Sequence, residues 1–129
     1  MTELQKTIKV YLVERGWNNL RPSDLAKSIS IESAELLEIF QWSNASLDET
    51  KRDAAKLKQI RSELADVLLY CLDMATLLNV DADQIILEKL KKISKKYPPH
   101  LMKSTNGKEP GTDDAYLNIK KNYRKKGLS

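Results

Sequence analysis

The 129-residue chain holds one cysteine and one histidine. Cys71 has no second thiol to pair with inside its own chain, so no internal disulfide framework supports the fold. It sits in the apolar stretch Val67-Leu68-Leu69-Tyr70-Cys71-Leu72, where a buried small hydrophobe is expected. One thiol and one imidazole also leave zinc without its usual ligand set, and His100 lies beyond the double proline Pro98-Pro99. Glycine and proline are scarce, at four each, which encodes few turns and excludes collagen-like and wholly disordered chains. The opening MTELQKTIKV is amphipathic and charged. Neither a secretory leader nor a membrane span is therefore expected, and a cytoplasmic location is.

What is present is 41% hydrophobic and 31% charged residues, the balance of a helix-rich globular chain of single-domain size. The net charge is +4, from 22 Lys+Arg against 18 Asp+Glu, and its distribution says more than its total. Acid clusters early and base late: Lys89, Lys91, Lys92, Lys95, Lys96 and Lys103 follow the acidic helices, and Lys120, Lys121, Arg124, Lys125 and Lys126 close the chain. Such runs read first as solvated helix faces, and nothing in them singles out nucleic acid.

Thr2-x-x-Gln5 is a capping box, after which Leu4, Ile8, Tyr11 and Leu12 recur at helical spacing until Gly16 provides a stop. Trp17–Pro22 reads as a loop, Ser23 as an N-cap and Asp24–Trp42 as a second helix. A polar stretch, Ser43–Glu49, then precedes a long third helix from about Thr50 to Leu78. Asn79–Asp83 breaks the pattern again, and Ile85–Tyr97 forms a fourth helix that Pro98-Pro99 ends. Lys103–Thr112, with Asn106-Gly107 and Pro110-Gly111, reads as an exposed loop. Beyond it, Tyr116, Ile119 and Tyr123 mark one side of a short terminal helix. With no alternating strand pattern, the fold class is all-α: an antiparallel four-helix bundle over residues 1–102, with a loop and basic appendage over 103–129.

Candidate chemistry comes from acids placed where a plain helical core has none. At about 100° per residue, Glu32 falls between Leu36 and Ile39 on the stripe of Leu25 and Ile29, with Glu35 at its edge and Glu38 on the far side. The third helix is apolar nearly all round from Leu64 to Leu78, yet Glu63, Asp66 and Asp73 lie in or beside that stretch. An ionised carboxylate is costly to bury unless a cation or hydrogen-bond donors compensate. Glu32/Glu35 and Glu63/Asp66 are each spaced i, i+3, which sets their Cβ atoms roughly 5–6 Å apart. If the two helices pack antiparallel, four carboxylates converge into an all-oxygen site suited to Mg²⁺ or Mn²⁺. A di-iron bundle would need Glu-x-x-His pairs, which are missing. The competing assignment is a set of salt bridges to Arg61 or the lysines.

Other residues stand near these helices. Tyr70 follows Asp66 by one turn, so its hydroxyl can reach a sugar or phosphate, or can be that of a core tyrosine. Trp17 and Trp42 flank the acidic helices and offer indole faces to a base, although bare tryptophans more often fill cores. Lys89 and Lys96 are seven apart and share a helix face, suited to a triphosphate or to solvent.

Taken together the residues resemble the MazG-type nucleotide pyrophosphohydrolases, the all-α group that includes the dimeric dUTP and the dCTP pyrophosphatases. The likeness is carried by Ser30-Ile31-Glu32-Ser33-Ala34-Glu35-Leu36-Leu37-Glu38 running into Phe40-Gln41-Trp42, by Glu63-Leu64-Ala65-Asp66-Val67-Leu68-Leu69-Tyr70, and by Lys96-Tyr97-Pro98. It extends from about Trp17 to Pro98. The resemblance implies hydrolysis of a nucleoside triphosphate between its α- and β-phosphates, with Glu32, Glu35, Glu63 and Asp66 holding Mg²⁺, or Mn²⁺ in its place. Glu35 is the candidate general base, and Trp17, Trp42, Tyr70, Lys89, Lys96 and Tyr97 are candidate substrate contacts. One departure stands out, because members commonly carry asparagine one turn before the Lys/Arg-Tyr-Pro ending and this chain has Ile93. A polar contact is missing there or supplied from elsewhere.

A homo-oligomer is expected, because four short helices of one chain hardly cover every side of the third; a dimer is the minimum, and the resemblance also permits a tetramer. The alternative function is a non-enzymatic helical oligomerisation module whose basic tail binds an acidic partner or nucleic acid. That alternative makes the terminal lysines, rather than Glu63, the sensitive residues.

Overall fold

The structure, a computed structural model, describes residues 1–102 and 114–128, and over these helix is the only regular secondary structure. In order come α1 (Glu3–Glu14), α2 (Pro22–Glu38), α3 (Leu47–Arg52), α4 (Ala54–Leu77), α5 (Ala82–Lys96), α6 (Pro99–Met102) and α7 (Asp114–Lys125). The all-α class is as expected. The loop assigned to Lys103–Thr112 lies outside the described residues. Among the described residues no helix is long and apolar enough to cross a membrane. The chain forms two compact units, Met1–Asp83 and Gln84–Ser129.

In the first unit the capping signals act as written. The Thr2 hydroxyl accepts from the Gln5 amide at 3.1 Å, and the Gln5 side chain accepts from the Thr2 amide at 3.2 Å. Gly16, at φ 67°, ends α1: its amide donates to the Val13 carbonyl at 3.0 Å and the Trp17 amide to the Leu12 carbonyl at 2.9 Å. That paired closure is a Schellman motif, which needs a left-handed residue at the turn. Asn79, at φ 55°, closes α4 in the same way, with Val80 donating to Ala75 at 2.8 Å and Asn79 to Thr76 at 3.1 Å.

Three boundaries differ from expectation, besides the start of α5, which begins at Ala82 inside the expected break rather than at Ile85. Ser23 is not the N-cap of α2, because Pro22 already occupies its first turn and Arg21 precedes it without a side-chain cap; proline has no N–H to satisfy and its fixed φ suits that position. The same helix stops at Glu38 rather than Trp42, and its exit tightens into i→i−3 bonds from Phe40 to Leu37 and from Gln41 to Glu38. The third expected helix is two. A capping box of Ser46 and Glu49 starts α3 inside the stretch read as loop, and Asp53 then turns extended and caps α4 by accepting from the Lys56 amide at 2.9 Å.

Burial in this unit centres on Ile8 and Leu12 of α1, Leu25 of α2, and Ala75 and Thr76 of α4. Among them sits Gln5, wholly buried. Its side-chain amide donates to the Val80 carbonyl at 2.8 Å and approaches the Thr76 hydroxyl at 3.5 Å, while its carbonyl oxygen also accepts from the Ala82 amide at 3.1 Å. One side chain thus closes the α1 capping box and satisfies an orphan N–H where α5 begins. The opposite side of α4 has no cover within the unit. Leu64 and Leu68 are exposed, and Cys71 falls on the same stripe, so it is exposed rather than buried as expected.

In the second unit α6 packs against α7, and the Tyr97 and Tyr116 rings stack with centroids 4.9 Å apart. The Lys96 ammonium lies 4.7 Å from the centre of the Tyr123 ring. Gly127, at φ 67°, closes α7 with a third Schellman pair.

Gln5→Ala should destabilise the protein by about 2–3 kcal/mol in urea unfolding, since it leaves the Val80 carbonyl and the Ala82 amide without their partner. A loss within experimental error would show that the Gln5 bridge does not organise this end of the fold.

Candidate functional site

The site is built where α2 crosses α4, the largest helix interface of the first unit. Near the start of α2, Asp24, Leu25 and Ser28 share a cavity wall with Leu69, Tyr70 and Asp73 of α4. Further along α2, Glu32 meets Glu63 and Asp66. Past the end of α2, the Lys56 ammonium in the first turn of α4 donates to the Ser43 hydroxyl at 3.0 Å. Rising positions on α2 meet falling positions on α4, so the two run antiparallel, as the carboxylate argument required.

Carboxylate oxygens of Glu32, Glu63 and Asp66 all lie within 4.8 Å of one another. Glu35 stays outside this trio, exposed at its edge as its position on the stripe predicts. Its charge nevertheless acts on both Glu32 and Glu63. Both of those carboxyls are pushed above the ordinary glutamate range, first by partial loss of hydration and then by the repulsion of Glu35 and Asp66. Glu38, on the far side of the stripe, also adds its charge at Glu63.

The competing salt-bridge assignment fails among the described residues. The ion pairs join Lys6 to Glu3, Arg15 to Glu14, Arg21 and Lys27 to Asp24, and the amino terminus to Asp81. None reaches the four acids. A convergent set of hard oxygen donors, two of them glutamates with raised pKa values and none with a neutralising side chain among the described residues, fits a divalent cation such as Mg²⁺ or Mn²⁺.

Next to the trio a cavity of about 270 Å³ opens between the α1–α2 turn, α2 and α4. Trp17 and Tyr70 line it, together with Tyr11, Leu20, Asp24, Leu25, Ser28, Leu69 and Asp73. Tyr11 meets the Trp17 ring edge-on at 6.0 Å, and the Arg15 guanidinium lies 3.8 Å from the centre of the Tyr11 ring. Trp42 is not part of this wall. It stands 91% exposed in the turn after α2, because the helix ends at Glu38 and releases the chain before it.

Lys89, Lys96 and Tyr97 belong to the second unit, where all three line a cavity of about 400 Å³ with Lys92, Ile93, Lys95, Tyr123 and Leu128. Lys89 and Lys96 do share a face. Tyr97 is held above the usual phenol range, first by loss of hydration and then by the neighbouring Tyr116.

The sequence model of the MazG-like family matches residues 27–108. The chain is similar to dCTP pyrophosphatase 1 of Homo sapiens, 28% identical over 113 residues that make up 84% of this chain and 65% of the relative. It is similar also to dCTP pyrophosphatase 1 of Rattus norvegicus, 26% identical over 107 residues, 81% of this chain and 63% of the relative. The chain therefore spans somewhat less than two thirds of the length of these relatives. Among solved structures, a pyrophosphatase from Archaeoglobus fulgidus matches with a TM-score of 0.65 and 37% identity, over 74% of this chain and 90% of that one.

Raised carboxyls fix the sign of a stability test. The folded protein holds protons at Glu32 and Glu63 more tightly than the unfolded chain does, so the contribution of these two groups to metal-free stability is greatest at acid pH and falls as pH rises from the ordinary glutamate range through the raised folded values. At pH 7, Mg²⁺ or Mn²⁺ should raise the melting temperature, and Glu63→Gln should remove most of that increase while stabilising the metal-free protein. An equal metal-induced shift in wild type and variant would place cation binding elsewhere.

Proposed function

The chain belongs to the MazG-like family, and from that premise we propose that it hydrolyses nucleoside triphosphates, deoxynucleotides included, to the monophosphate and pyrophosphate with the help of Mg²⁺. The observation that carries this reading is the convergence of Glu32, Glu63 and Asp66 within 4.8 Å, without a cationic partner, beside a cavity walled by aromatic rings. The dCTP pyrophosphatase relatives make dCTP the first substrate to try.

Glu32, Glu63 and Asp66 would hold the cation, with Glu35 completing the set from its edge. A bound Mg²⁺ supplies charge neutralisation on the phosphates and a lower pKa for the attacking water. Glu35 is exposed at the edge of the set and would accept the proton that the attacking water gives up as its oxygen attacks the α-phosphorus. The bridging oxygen then leaves with the β-phosphate, so one water is consumed and pyrophosphate departs. Most of the acceleration comes from positioning and electrostatics, as in other phosphoryl transfers.

The Tyr70 hydroxyl lies one turn from Asp66 and serves the sugar or the α-phosphate, and the Trp17 indole offers a face to the base. Trp42, Lys89, Lys96 and Tyr97 enter as substrate contacts on the strength of the family pattern. The stripe of Leu64, Leu68 and Cys71, exposed in the single chain, supports assembly as a dimer or tetramer. Removal of surplus or non-standard nucleotides in the cytoplasm is the role that suits such a reaction.

Purified protein should release pyrophosphate from at least one deoxynucleoside triphosphate with Mg²⁺ or Mn²⁺ and lose that activity in EDTA. Glu35→Gln and Asp66→Asn should each lower kcat at least about a hundredfold. Turnover that persists without metal, or in either variant, would contradict the assignment.

A further inference from the structure

One acid of the apolar α4 stretch has no part in the metal site. Asp73 is 5% exposed, and its Oδ1 has no hydrogen-bond partner. Orphaned buried oxygens are rare in folded proteins, because each forfeits its hydration without replacement. Burial alone pushes this carboxyl above the ordinary aspartate range, with no compensating cation. Asp24, the other acid on the same cavity wall, is different: Arg21 donates to it at 2.9 Å and Lys27 at 3.4 Å.

Asp73 lines the 270 Å³ cavity in company with Trp17, Tyr11 and Tyr70. That volume is near the lower end for small-molecule sites, roughly 300–1,000 Å³. Flat aromatic walls suit a planar ligand. Along α4, Asp73 follows Asp66 by seven residues, two turns on nearly the same face and roughly 10 Å along the axis. Tyr70 lies midway. A nucleotide with its phosphates at Asp66 and its sugar beside Tyr70 brings its base to Asp73.

The orphaned oxygen is an acceptor, so it calls for a donor on that base. Cytosine presents an exocyclic amino group at C4, where uracil and thymine present a carbonyl oxygen; carboxylate side chains accept from the cytosine amino group in other settings. Against the ionised carboxylate, a carbonyl at that position sets another acceptor, with no proton between them. Resting on the pyrophosphohydrolase reading, we propose that Asp73 is a specificity-determining residue that accepts a hydrogen bond from the exocyclic amino group of the base, favouring cytosine over uracil nucleotides.

The test compares dCTP with dUTP, which differ only at that edge, by kcat/KM for wild type and Asp73→Asn with Mg²⁺. The wild type should prefer dCTP by roughly 10- to 100-fold. The isosteric amide offers a donor as well as an acceptor, so the ratio should fall to within about threefold of unity. No wild-type preference, a preference for dUTP, or an equal loss on both substrates in the variant would overturn the inference while leaving the hydrolase assignment standing. Absence of turnover on every nucleotide would instead sink the hydrolase assignment. Calorimetric binding of dCMP and dUMP then decides the Asp73 contact by itself: tighter dCMP binding that Asp73→Asn abolishes supports it, and equal binding in wild type refutes it. Asp73→Leu, which removes the buried acid without a new polar group, should also lose the preference and guards against an effect peculiar to the amide.

Discussion

The antiparallel crossing of α2 and α4 forces acids together that would separate if free. Two helices with an acid pair each are ordinary. Packed in this register they put Glu32 against Glu63 and Asp66, with Glu35 at the margin and Glu38 adding its field. Apolar contact around Leu25 and along α4 holds the helices in place while the charges repel, and the described part of the chain supplies no lysine or arginine to relieve them. The protein stores unfavourable electrostatics at one place, and on the proposed reading a divalent cation and a polyphosphate release it together.

Helix ends set what surrounds that place. The Schellman closure at Gly16 turns the chain so that Trp17 meets Tyr11 and reaches the cavity. The closure at Asn79, with Gln5 bridging Thr76, Val80 and Ala82, fixes the far end of α4. Between the two, α4 carries Asp66, Tyr70 and Asp73 along one side. On the proposed reading, the same helix presents metal ligands, a sugar-side hydroxyl and a base-side acceptor in the order in which a nucleotide needs them.

Much of this was legible in the residues. The i, i+3 spacing of two acid pairs on apolar faces, the Thr2 capping box and the Gly16 stop are local signals, and local signals survive folding. Asp73 stood out for the same reason as Glu63 and Asp66, an acid inside an apolar helix. The misreadings have tertiary or competing local causes. Ser46-x-x-Glu49 is a capping box hidden in a polar stretch, and Asp53 interrupts what periodicity joined into one helix. Cys71 looked buried because its neighbours are apolar, but the stripe it shares with Leu64 and Leu68 has no cover within the unit. Gln5 bridges segments more than seventy positions away, which no local pattern encodes. The reach of Glu38 to Glu63 depends on helix register, again a property of the packed pair.

The claim on which everything else depends is that the acids at the α2–α4 crossing bind a divalent cation. Mn²⁺ titration followed by electron paramagnetic resonance measures this without reference to turnover. Wild type should take up Mn²⁺ at a saturable site, Mg²⁺ should displace it, and Glu32→Gln combined with Glu63→Gln should abolish the uptake with the helical circular dichroism intact. Undiminished Mn²⁺ binding in that double variant would contradict the account.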